Sequence, residues 1–170
     1  MRSDWLDRDD LNHLYAALTP TNALVMRLCV ETGLRIDDAL AITSDQIQER
    51  DFVIKEKKTG KKRKVHLSKS LWDALRGASG AFYVFPHRDD PFRHRTRQAV
   101  FLDLKRAAKL FRIRANVSPH TLRKFYAVER LRQTGDLSKV QKELNHDRIT
   151  TTLIYALADR LDELKRTGVR

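Results

Sequence analysis

Apolar residues recur at helical spacing from the start of the chain. Leu6, Leu11, Leu14, Tyr15 and Leu18 predict a first helix, capped by Ser3 or Asp4 and closed before Thr19-Pro20, because the residue preceding a proline resists helical backbone. A second helix fills 22–32 and stops at Gly33. From Asp51 the period changes: Phe52-Val53-Ile54 and Val65-His66-Leu67 flank the segment KEKKTGKKRK, the pattern of a β-hairpin with Thr59-Gly60 at its turn. A short helix over 68–76, a strand over 81–85 and a loop over 87–97 follow. Val100, Leu102, Leu104, Ala107, Ala108 and Leu110 then outline an amphipathic helix from Thr96 to about Phe111, with 112–117 as an irregular link. The segment HTLRKFYAVERLRQ opens after Ser118-Pro119 and ends at Gly135, and a further helix from Ser138 buries Val140 and Leu144 before an Asn145-His146 corner. A last short helical stretch, opened by the threonines at 150–152, carries Tyr155. The fold class predicted is mainly α with a small antiparallel β-sheet. No repeat, low-complexity tract or linker divides residues 1–170, so one domain is expected.

Composition supports one core and adds a partner. The 170 residues are 41% apolar, ordinary for a globular domain, while 34 lysines and arginines against 22 acidic residues give a net charge of +12. That surplus points to an anionic polymer. Seven of the ten residues from Lys55 to Lys64 are basic, which on a hairpin makes a protruding finger suited to a groove or to a line of phosphates. The loop adds Arg88, Arg93, Arg95 and Arg97. Cys29, alone in the apolar run ALVMRLCV, offers neither a disulfide nor a cysteine zinc site and reads as a small buried hydrophobe in a reducing compartment. No apolar stretch reaches the ~20 residues of a membrane span, and DWLDRDDLNHL is too polar for a secretory signal, so a cytoplasmic location is expected.

The chemistry concentrates near the end. His120 and Arg123 are three residues apart on one helix and share a face, His146 follows the next helix, and Tyr155 comes nine residues later. Each has an ordinary explanation: a solvated basic face, a helix C-terminus, an amphipathic core tyrosine. Together they bring a guanidinium, two imidazoles and a phenol, with no metal-ligand set or glycine-rich loop beside them. Upstream, Arg35 follows Gly33-Leu34 with Asp37 or Asp38 as its visible partners, and one of the hairpin lysines is a candidate catalyst.

Taken in order, Arg35, Lys58 before Thr59-Gly60, the His120 and Arg123 pair, His146 after Leu144-Asn145, and Tyr155 resemble the catalytic domain of the tyrosine recombinases, the phage integrase family. The resemblance runs from Trp5-Leu6 to Tyr155. It implies that Arg35 and Arg123 clamp a scissile phosphate in double-stranded DNA, and that Tyr155 attacks it to give a 3′-phosphotyrosine. Lys58 would protonate the departing 5′ oxygen, His120 would accept the tyrosine proton, His146 would hydrogen-bond the phosphate, and Asp38 would orient Arg35. Lys57, Lys61, Lys62, Arg63, Lys64, Arg93, Arg95 and Arg97 would contact DNA. No cofactor or metal is implied. Spacing alone does not separate Lys58 from Lys57 or Lys61 as the acid.

The roles make physical sense. Charge gathers on the non-bridging oxygens of a phosphodiester in transfer, and two guanidiniums supply forked, permanently charged donors. A phenol with a pKa near 10 attacks poorly at neutral pH unless its proton has an acceptor. Asn145 stands where a glycine is usual, but asparagine tolerates left-handed backbone. Lys124 occupies a place often held by histidine, and Tyr126 is a second phenol, better suited to packing than to attack. Family members usually carry an N-terminal DNA-binding domain, which is expected to be absent here, and their tails dock on neighbours, so a DNA-dependent tetrameric synapse through residues after Tyr155 is the expected assembly. The rival readings are an inactive DNA-binding regulator and a type IB topoisomerase-like strand transferase.

Overall fold

The computed structural model describes residues 6–145. His146, Tyr155 and the C-terminal tail lie outside them. Seven helices and one hairpin follow one another among the described residues: α1 (Arg8–Ala17), α2 (Pro20–Thr32), α3 (Ile36–Leu40), a 3-10 turn (Asp45–Ile47), β1 (Asp51–Lys55), β2 (Lys62–His66), α4 (Lys69–Ala78), α5 (Arg97–Leu110), α6 (Pro119–Thr134) and α7 (Leu137–Glu143).

Local chemistry sets most of these boundaries. Asp7, not Ser3 or Asp4, caps α1, its carboxylate accepting from the Asp10 amide at 2.7 Å. Ser68 and Thr96 cap α4 and α5 through their hydroxyls. Pro20 and Pro119 open α2 and α6, where the missing N–H is no loss. Ser118 and Thr121 close a reciprocal capping box on α6.

α2 is the centre of the molecule. Val25, Met26, Leu28 and Cys29 are all fully buried, and the helix packs against α1, α3, α4 and α6. A smaller apolar cluster, Ala127, Val128, Val140 and Leu144, joins α6 to α7. The α1–α2 link is tied to α5 by Asp103, which accepts from the Thr19 amide, the Thr19 hydroxyl and Asn22 Nδ2. Burial opposes the charged form of Asp103, but the hydrogen bonds from Asn22, Thr19 and Arg106 outweigh it and hold its pKa at about 2.

Two expectations give way. Residues 81–85 form no strand: isolated bridges, Thr43 with Tyr83 and Pro86 with His94, connect this stretch to its neighbours, and it is bounded by a turn in which the Gly80 amide bonds the Tyr83 carbonyl and by Pro86, which has no N–H to give a ladder. Leu102 and Leu110 face outward on α5, 56% and 65% exposed. At 3.6 residues per turn Leu102 lies about 200° around the helix from Val100, so the two cannot share the buried face.

Gly33 closes α2 in the left-handed region, with φ +66°. A Cβ there would sit 2.4 Å from Cδ1 of the Tyr126 ring. Gly33→Ala is therefore expected to lose roughly 2–5 kcal/mol, combining left-handed strain with overpacking, and to lower the urea midpoint accordingly. A loss of only ~1–2 kcal/mol would show that the Tyr126 ring can swing clear, and an unchanged midpoint would contradict the left-handed strain as well.

Candidate active site

The site begins where α2 ends. Gly33 reverses the chain and Leu34 anchors it, so that Arg35, the N-cap of α3, emerges at the surface with its side chain about one-fifth exposed. Opposite stands the hairpin, paired from Asp51 with His66 to Lys55 with Lys62 and closed by a turn in which the Gly60 amide bonds the Glu56 carbonyl at 2.8 Å. Lys58 sits exposed on that turn. α6 supplies the third side: His120 lies in its first turn and Arg123 one turn deeper, only 2% exposed.

Arg123 ties these parts together. Its Nη1 donates to the carbonyl of Gly33 and its Nη2 to the carbonyl of Leu144, so one guanidinium bridges the end of α2 and the end of α7. The residue after Leu144, Asn145, adopts φ +48°, the left-handed backbone expected of it. A buried guanidinium is stable only where its N–H groups find acceptors, and carbonyls stranded at helix ends provide them.

His120 reaches solvent, yet its pKa is held below the usual 6.5. The protein packed around the ring is the largest cause, and the charges of Lys124, Arg123, Lys58 and Arg35 add to it in that order. The charges of Lys58, Arg35 and Arg123 are thus all felt at His120. An imidazole so placed is neutral at pH 7. Proton NMR titration of the DNA-free protein is expected to put the His120 midpoint below 6.5, since a depressed pKa means the proton leaves earlier as pH rises; a midpoint at or above 6.5 contradicts this electrostatic picture.

The partner of Arg35 is not the expected one. Its Nη1 donates to Oε2 of Glu56 at 2.7 Å, whereas Asp38 turns to the hairpin and accepts from the Lys57 amide at 2.8 Å. Both carboxylates are buried, Asp38 to 5% and Glu56 to 0% exposure. Glu56 is the neighbour of Arg35 that pattern reading misses. Its signal in the sequence is an acid placed alone among seven basic residues.

The predicted DNA contacts divide. Lys61, Lys62, Lys64, Arg93 and Arg97 are exposed, Arg97 lying 3.7 Å from Asp37. Lys57 is exposed too, with its Nζ 3.4 Å from Nε2 of His94. Arg63 is the exception on the hairpin: alternation along β2 turns it inward with Val65, 8% exposed, where it donates to the carbonyls of Thr32 and Gly33. Arg95 is half-buried and spends its Nε on Asn22 Oδ1 at 2.7 Å. Both act within the protein in this structure.

Tyr126, the second phenol, donates to Glu143 at 2.9 Å, and burial together with that carboxylate pushes its pKa up to about 12. A groove of about 960 Å³ opens beyond it, between α1, β2 and α6, but neither Arg35, Lys58, His120 nor Arg123 lines it. Among the described residues no group of three or more histidine, cysteine, aspartate or glutamate side chains is placed to hold a metal, and no helix is long and apolar enough to cross a membrane.

Comparison with known proteins gives this arrangement a context. Residues 4–160 match the family model described as the phage integrase family. The chain is similar to the tyrosine recombinase XerD of Mycobacterium tuberculosis, 34% identical over 155 residues, covering 82% of this chain and 49% of that protein. It is also similar to the integrase of Escherichia phage P2, 28% identical over 152 residues, covering 89% of this chain and 42% of the other. The chain thus spans about half the length of the curated relatives it matches. Among solved structures it superimposes on a lambda integrase dimer bound to a COC′ core site with a TM-score of 0.76 at 22% identity, over 92% of this chain and 60% of that one. The fold is that of tyrosine recombinase catalytic domains.

Proposed function

The chain belongs to the phage integrase family, and we propose on that basis that it cleaves and rejoins DNA for site-specific recombination through a covalent 3′-phosphotyrosine. What supports this reading most is that Arg35, Lys58, His120 and Arg123 come from a helix N-cap, a hairpin turn and one face of α6, and that the charges of Arg123, Lys58 and Arg35 are all felt at His120.

In this reading the scissile phosphate sits against Arg35 and Arg123, whose guanidiniums neutralise the charge that grows on its non-bridging oxygens. Tyr155, beyond the described residues, attacks phosphorus while its proton passes to the neutral His120. As the bond from phosphorus to the 5′ oxygen breaks, Lys58 protonates that oxygen and a 5′ hydroxyl leaves. The reverse sequence, with a hydroxyl from another strand, rejoins the backbone and frees the tyrosine. The bond energy is held in the phosphotyrosine, so no nucleotide cofactor is needed. His146 would add a hydrogen bond to the phosphate. Lys57, Lys61, Lys62, Lys64, Arg93 and Arg97 would follow the backbone of the duplex, where each neutralised phosphate releases counterions and makes binding salt-dependent. Residues 1–170 act as the nucleophile-bearing domain, and assembly into a tetrameric synapse on DNA would run through the residues after Tyr155.

The direct test incubates the protein with duplexes nicked beside the scissile phosphate, so that the cleaved end diffuses away, and looks for a protein–DNA adduct in a denaturing gel. An adduct supports the reading. Tight duplex binding with no adduct on any cleavable site would instead identify a DNA-binding regulator.

A further inference from the structure

We infer that Glu56 is the positioning residue of Arg35, holding that guanidinium in place before DNA arrives and fastening it to the turn that carries Lys58. The inference rests on the strand-transfer reading above.

Glu56 follows β1 directly, and the alternation that buries Ile54 turns Glu56 inward as well. An ionised carboxylate in that position is costly unless charges and hydrogen-bond donors meet it. Two guanidiniums and a hydroxyl do so: Oε2 accepts from Arg35 Nη1 at 2.7 Å and from Thr59 Oγ1 at 2.8 Å, and Oε1 lies 3.6 Å from Arg63 Nη1. Burial alone would raise the pKa of Glu56, but the hydrogen bonds from Thr59 and Arg35 and the charges of Arg35 and Arg63 hold it below the ordinary value. The carboxylate is therefore charged at neutral pH.

The two arginines are not equivalent. Arg63 is buried and committed to the carbonyls of Thr32 and Gly33, so it serves as a fixed anchor. Arg35 is partly exposed, and its contact with Glu56 engages Nη1 of a group that has five N–H donors. Glu56 thus fixes the direction of the fork while leaving donors for a phosphate. The bond from Thr59 to the same oxygen, and that from the Lys57 amide to Asp38, attach the residues on either side of Lys58 to the base of Arg35. Clamp and acid turn are preset as one unit, which lowers the ordering cost on binding DNA.

The experiment compares single-turnover cleavage of two nicked duplexes, one with an ordinary scissile phosphodiester and one with a methylphosphonate there. The methyl group replaces a non-bridging oxygen and removes the charge that Arg35 neutralises. Glu56→Ala is expected to slow the phosphodiester by ~10- to 100-fold, the range for misplacing a reacting group by about an ångström. It should leave DNA affinity intact and slow the methylphosphonate distinctly less, by only the part that comes from loosening the Lys58 turn. Glu56→Gln, which keeps an acceptor oxygen for Arg35 and Thr59, should recover most of the loss. If Glu56→Ala does not fold, Glu56→Asp carries the same comparison, because its shorter side chain withdraws the carboxylate from Arg35. Equal slowing of both substrates, or a wild-type rate on the phosphodiester, overturns the inference while leaving strand transfer standing. A wild-type protein that forms no adduct with either duplex overturns the reading beneath it.

Discussion

Lys58→Ala is expected to cleave an ordinary phosphodiester ~100- to 10,000-fold more slowly than the wild type, the contribution typical of a general acid. The same variant should cleave a substrate whose bridging 5′ oxygen is replaced by sulfur at close to the wild-type rate. An alkoxide leaving group needs a proton as its bond to phosphorus breaks, whereas a thiolate departs unaided because its conjugate acid is far stronger. Selective rescue by sulfur therefore separates proton donation from mere attraction to phosphate. The geometry favours Lys58 over its neighbour. Lys57 directs its ammonium to His94, while Lys58 is the turn lysine whose charge is felt at His120, in the company of Arg35 and Arg123. Lys57→Ala and Lys61→Ala should weaken binding without any sulfur-specific recovery. If Lys58→Ala is equally impaired on both substrates, its role is placement or phosphate binding, and the proton has another source.

How much of this was legible in the residues follows from the range of each interaction. Helix boundaries were largely readable because their causes are local: Ser68 and Thr96 bond amides three residues away, and Gly33 and Gly135 take left-handed backbone at the helix ends. The hairpin and its Thr59-Gly60 turn were readable for the same reason. The candidate site residues stand in the sequence as a spaced set. Their partners were not. Arg35 has two acids within three positions, yet it bonds Glu56, 21 residues away, because the α3 backbone turns Asp38 toward the hairpin instead. Charge density misled at Arg63, where strand alternation outranked membership of a basic run and the desolvated guanidinium found two helix-end carbonyls. The stretch 81–85 looked like a strand because it is rich in aromatic and β-branched residues, but strands depend on a pairing partner that the sequence does not reveal.

In the proposed reaction the chain carries its own nucleophile, and that nucleophile is Tyr155. Tyr155→Phe removes only the phenolic oxygen, so duplex affinity should be nearly unchanged while covalent attachment falls below detection. Tyr126 is the control phenol. Its hydroxyl is committed to Glu143, its pKa is pushed up to about 12, and its ring packs against Gly33, so it is both poorly ionised and held in place. Tyr126→Phe should cost some stability through the lost Glu143 contact and still form the adduct. The decisive measurement is adduct yield on a nicked duplex for wild type, Tyr155→Phe and Tyr126→Phe, read from a denaturing gel at DNA concentrations that saturate all three. Wild type and Tyr126→Phe are expected to form an adduct and Tyr155→Phe none; undiminished adduct with Tyr155→Phe would place the nucleophile elsewhere in the chain.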